Sequence, residues 1–290
     1  MTGTRDERGG FSPSSLGLGL VTAALAGSFR GPAGAYSARS VVLLGLVSAG
    51  ALAAASRLFG LAARRLGLFS GRGALPRLAA WGFFLWFAAE AVRTAAAAQM
   101  VCREHFGTNA LLAVLPVLLL FSWQMDAGAL DRSARALWWL LAAGLLVCLA
   151  GVWDQMRWQR LFAAGGAGLL ADGWPPAGLY PEYFALPLLA AGRQQRRGAL
   201  LPFWPFAAQA GYALALELVL GRLAGPDYTG VELLRAWALG YFSRLDALLL
   251  LVWLAAALWR ICLLAGVLRA LWRLGCGQCP QDDDKGAQAK

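Results

Sequence analysis

A chain of 290 residues that is 59% hydrophobic before its 35 glycines are counted, and only 14% charged, has too little polar surface to wrap a water-soluble core. Five cysteines are too few, and odd in number, for a disulfide-stapled scaffold. The net charge of +10 comes almost wholly from arginine, since Lys285 and Lys290 are the only lysines, and it is scattered between apolar segments. That scatter argues against nucleic-acid binding, which needs a concentrated basic patch or a recognisable module.

What remains is a polytopic membrane protein. A hydrocarbon core of about 30 Å takes about 20 residues per helix, so a chain of this length holds roughly seven to nine spans. Hydropathy along the chain predicts eight, at 15–29, 41–61, 78–101, 109–124, 136–153, 179–192, 200–221 and 245–268. Residues 1–14 are then a cytoplasmic tail, 15–272 the transmembrane unit, and 273–290 a second cytoplasmic tail, disordered and ending beyond Asp282, Asp283 and Asp284. The first and sixth spans are short and carry helix breakers. Gly17, Gly19 and Gly27 interrupt the first, and Gly165, Gly166, Gly168, Pro175, Pro176 and Pro181 surround the sixth. Irregular backbone is too costly against lipid, so both spans are expected to unwind inside protein or beside a cavity.

Arginine placement orients the spans. With the N-terminus in the cytoplasm, 16 Arg and Lys fall in inner segments and 8 in outer ones, which favours both termini inside. Trp81, Trp123, Trp138, Trp139, Trp153 and Trp272 lie near predicted span ends, where an amphipathic ring is best accommodated. A secretory signal is the competing view of the N-terminus, from Arg5, Arg8, the apolar run 16–25 and Ala33-Gly34-Ala35. Asp6 and Glu7 spoil its positive region, and the cut would lie far beyond the apolar run.

Catalytic motifs are sparse. His105 is the one histidine, so a multi-His metal site or a His-dependent relay has almost nothing to work with. Cys276-Gly277-Gln278-Cys279 has the spacing of a redox or metal pair but lacks a second pair and a folded context. Cys102, Cys148 and Cys262 read as small apolar helix residues. Charges at membrane depth carry more information, because an ionisable group there must face a partner or water. Glu90 and Arg93 lie three residues apart on one face of the third span. Glu182 follows Tyr180-Pro181 at the start of the broken sixth, Glu217 sits near the end of the seventh, Arg260 lies deep in the eighth, and Arg244 and Asp246 flank that helix's start. Helix-to-helix pairing is the simpler role for most of them. Glu182 stands apart, since a ligand can reach a carboxylate beside unwound backbone. Two interrupted helices are what a transporter-like site uses, offering free N–H groups to a carboxylate and free carbonyls to a cation.

Several stretches resemble a known family. Residues 231–265, VELLRAWALGYFSRLDALLLLVWLAAALWRICLLA, are similar to the late region of the spore-germination permeases, the B-type subunits of endospore germinant receptors, with Arg235, Phe242, Arg244, Leu245, Asp246 and Trp253 on the family pattern. GALDRSARALWWLLAAGLL at 128–146 resembles the start of the family's fifth helix, with Arg135 near its arginine. WDQMRWQRLFAAGGAGLL at 153–170 resembles the loop before its broken helix, where Asp154 and Leu161 are the better matches. PEYFALPLLA at 181–190 resembles its sixth helix, with Glu182 on the acidic position, and Arg93 falls near an arginine of its third. The resemblance runs from about residue 78 to 265 at low identity, with the Arg244-Leu245-Asp246 turn as its most specific part.

The resemblance implies an all-α, LeuT-like permease fold of the amino acid/polyamine/organocation type, in the inner membrane of a spore. It implies recognition of a small amino-acid-like germinant by a complex with A-type and C-type receptor subunits, without cofactor or catalysis. The family has ten helices, two more than the eight predicted here, and those two lie outside the core substrate site of the fold. The expected ligand site lies between the first and sixth spans, at Gly17, Gly19, Gly27, Tyr180 and Glu182. Glu90, Arg93, Arg244 and Asp246 form a supporting charge network. Ion-coupled amino-acid transport and a ligand-free assembly subunit are the alternative expectations.

Overall fold

In the computed structural model, residues 11–30, 36–69, 73–125, 127–163, 174–175, 178–189, 198–221, 233 and 245–277 are described, and every regular element among them is helical. The helices are α1 (Pro13–Arg30), α2 (Ala38–Arg65), α3 (Ala74–Phe106), α4 (Ala110–Gln124), α5 (Ala127–Val152), the short α6 (Gln159–Ala163) and α7 (Leu186–Leu189), α8 (Phe203–Leu220) and α9 (Leu245–Gly275). Single 3-10 turns at Trp153–Gln155 and Pro181–Tyr183 precede α6 and α7.

Among the described residues, four helices are long and apolar enough to cross a bilayer: Ala38–Arg65, Gly128–Gln155, Phe203–Leu220 and Ala247–Gly275. Pro13–Phe29 and Ala110–Ser122 are shorter apolar helices. At 33 residues, α3 is the longest described helix, but it carries Glu90 and Arg93 near its middle. The chain is therefore an all-α protein with the helices of a membrane-embedded one. The apolar surface follows the same logic: the apolar window of α9 is 61% buried, whereas those of α2 and α5 are 17% and 11% buried and turn large side chains such as Leu58 and Trp139 outward. In water such faces would demand cover, while lipid solvates them.

The core is organised on α9, which packs along α3 and against α1, α4 and α5, while α8 lies against α1 and α2. One apolar cluster gathers Leu25, Phe29, Val101, Tyr212 and Trp253. The other gathers Leu16, Leu20, Phe87, Tyr183 and Leu264. Indole N–H groups tie the bundle together at both levels. Trp253 Nε1 donates to Thr22 O at 3.1 Å, and Trp259 Nε1 donates to Leu130 O at 3.2 Å and to Ser133 Oγ at 3.0 Å. Gly107, at φ 62°, ends α3 in the left-handed conformation that a residue without Cβ adopts freely, and the chain turns there into α4.

The two expected helix breaks fare differently. The first span is unbroken: α1 is one continuous helix of 18 residues through Gly17, Gly19 and Gly27. Gly17 and Gly19 act in packing instead. A Cβ at Gly17 would meet Trp204 Cδ1 at 3.3 Å, and one at Gly19 would meet Leu263 Cδ2 at 3.5 Å and Arg260 Cγ at 3.7 Å. The sixth span is broken as expected, into the 3-10 turn Pro181–Tyr183 and the four-residue α7.

Candidate functional site

Three separated parts of the chain meet at one buried guanidinium. Arg260 lies midway along α9, on the helix face that packs between α1 and α3. From α3, Glu90 reaches it with Oε2 3.6 Å from Nη2. From the broken segment, Glu182 Oε1 accepts a hydrogen bond from the same Nη2 at 3.0 Å. The Arg260 and Glu182 side chains are each 1% exposed, and that of Glu90 is 6% exposed.

Local backbone chemistry sets Glu182 in place. Pro181 occupies the first position of the turn, where its missing N–H leaves no donor unsatisfied. The turn closes through Phe184 N to Pro181 O at 3.1 Å and Ala185 N to Pro181 O at 3.0 Å. Tyr180, just before it, lays its ring beside the guanidinium, with Cζ 5.5 Å from the ring centroid, in reach of a cation–π attraction. Tyr183 meets that ring edge-on at 5.8 Å and is itself buried. Ahead of α1, Phe11 N donates to Leu189 O at 2.8 Å, which holds the start of the first helix against the end of α7.

The electrostatics are tightly but incompletely satisfied. Glu90 Oε1 accepts from Arg93 Nη1 at 2.7 Å, and Arg93 is 69% exposed, so the network runs from the bundle interior to its surface. Within this centre two buried atoms have no hydrogen-bond partner among the described residues: Glu182 Oε2 and Arg260 Nε. The ion pair thus leaves one acceptor and one donor of its own unsatisfied.

Of the ligand residues expected from the sequence, Tyr180 and Glu182 lie at this centre and Gly19 lies against Arg260. Gly17 packs on Trp204, and a Cβ at Gly27 would meet nothing within 4 Å. Glu90 joins the centre directly, and Arg93 forms its outer end. Arg244 and the side chain of Asp246 lie outside the described residues, as do Arg235 and Phe242. Arg260 holds the group together although the sequence pattern placed it among simple helix contacts. Its signal was present: a cation in the middle of the apolar run that separates Asp246 from Arg269 needs buried carboxylates opposite it.

No family model matches the chain, and neither the curated proteins nor the solved structures contain a match to it.

Proposed function

We propose that the chain is the membrane subunit of a spore germinant receptor, with a LeuT-like permease fold of about eight transmembrane helices and both termini in the cytoplasm. It recognises a small amino-acid-like germinant in the inner membrane of the spore, in complex with A-type and C-type subunits. The observation that carries this reading is the buried Glu182–Arg260 pair at a helix break, with a free acceptor on one partner and a free donor on the other. A zwitterion satisfies both: its carboxylate exchanges with Glu182 at the guanidinium, and its ammonium takes the carboxylate oxygens that this exchange releases. The position of Glu182 on the acidic residue of the resembled sixth helix supports the same assignment.

Spores whose receptor subunit carries Glu182→Gln, at normal protein level, are expected to lose their germination response to the amino-acid germinant while still germinating through other receptors. An unchanged response removes the site assignment. A second reading, ion-coupled amino-acid transport, draws on the two carboxylates that converge on one buried guanidinium. Uptake in proteoliposomes that an ionophore abolishes would favour it, and ligand-dependent stabilisation without flux favours the sensor.

A further inference from the structure

A cavity lies away from the charged centre, between α1, α5, α8 and α9. Its volume is about 190 Å³. Phe29, Tyr212 and Trp253 close its inner end, with Phe29 edge-on to both other rings at 5.7 Å. Leu141, Leu145 and Cys148 of α5 form one wall. The opposite wall exists because α8 presents Ala207, Ala208, Gly211 and Ala215 there, residues too small to fill the space. None of the lining residues is charged, and the indole N–H of Trp253 is already engaged by Thr22 O. Walls of this kind hold no water, and an apolar cavity of about 150 Å³ is enough to take up benzene.

The mouth decides what enters. It lies between Leu149, Ala207 and Gly211, all exposed, and Leu146 on the same helix and Trp153 in the turn after it are also exposed. The mouth therefore opens on the apolar face of a membrane-crossing helix, where the surrounding medium is acyl chain. We propose that this cavity holds a short segment of one acyl chain of a bilayer lipid, which enters sideways between α5 and α8 while the rest of the chain and the head group stay outside. The proposal rests on membrane embedding and is independent of the germinant reading.

The test uses the full chain in phosphatidylglycerol vesicles doped with a phospholipid carrying a photoreactive diazirine in mid-chain. After irradiation, mass spectrometry locates the adducts. Adducts on Leu145, Cys148 or Tyr212 are expected beside those on exposed positions such as Leu120. Gly211→Leu narrows the mouth from a position where a Cβ meets nothing within 4 Å. It should lower the cavity adducts about tenfold, since a few excluded methylene groups carry that much binding energy, and leave Leu120 labelling unchanged. Ala207→Leu, at a second exposed position, serves as an alternative plug. Adducts confined to exposed positions, equal cavity labelling in the plugged variants, or cavity labelling by a free diazirine-bearing aromatic but not by the lipid would each overturn the proposal.

Discussion

Glu182 and Glu217 are both buried carboxylates, at 1% and 5% exposure, and each keeps one oxygen without a partner, yet their surroundings give them different work. Glu217, near the end of α8, accepts the backbone N–H of Ala38 in the first turn of α2, where the helix dipole favours negative charge. Around it the chain is latched: Arg157 N donates to Leu218 O at 3.1 Å, and Arg160 donates to the carbonyls of Leu218 and Val219 at the C-terminal end of α8. Its partner is main chain, fixed by the helices themselves. Glu182 faces a side-chain partner, the buried guanidinium shared with Glu90, on a segment without regular α-helix. A carboxylate on a helix end fastens two elements together, whereas one paired to a shared cation beside broken backbone is the one the proposed ligand site uses.

Substitutions sharpen this contrast in a graded order. Arg260→Leu strands two buried carboxylates and should reduce stability by about 3–5 kcal/mol, read as a large fall in the thermal midpoint of the detergent-solubilised protein. Glu182→Gln keeps a neutral acceptor for Arg260 and leaves Glu90 in place, so its loss should be about 1–3 kcal/mol, with the ligand response removed altogether. Glu217→Gln retains an oxygen for Ala38 N–H and loses only the charge at the start of α2, about 0.5–1 kcal/mol, with the ligand response intact. Gly27→Ala introduces a methyl into open space within α1 and should raise stability by up to about 1 kcal/mol. If Glu217→Gln abolishes ligand response as fully as Glu182→Gln, the division between latch and site fails.

Much of the fold was legible in hydropathy. The predicted segments at 109–124, 200–221 and 245–268 coincide with α4, α8 and α9 within a few residues, except that α9 continues to Gly275, and of these three only α8 and α9 are long and apolar enough to cross a bilayer. The predicted third span underestimates α3, because the polar end through Arg103 and His105 is helical but not apolar. The break at Pro181 was legible because proline carries no N–H and its effect is local. The glycines of α1 misled, since glycine at a close helix contact has the same composition as glycine at an unwound turn. Only the neighbours, Trp204 at Gly17 and Arg260 at Gly19, distinguish the two uses. The meeting of Glu182 with Arg260 crosses 78 residues of chain, and no periodicity or spacing rule reaches that far.

The most direct measurement of the central claim is the thermal midpoint of the purified chain titrated with a panel of free amino acids, in parallel with Glu182→Gln and Glu217→Gln. The account predicts that at least one amino acid raises the midpoint of the unaltered chain and of Glu217→Gln, and leaves that of Glu182→Gln unmoved. An equal rise in Glu182→Gln would contradict it.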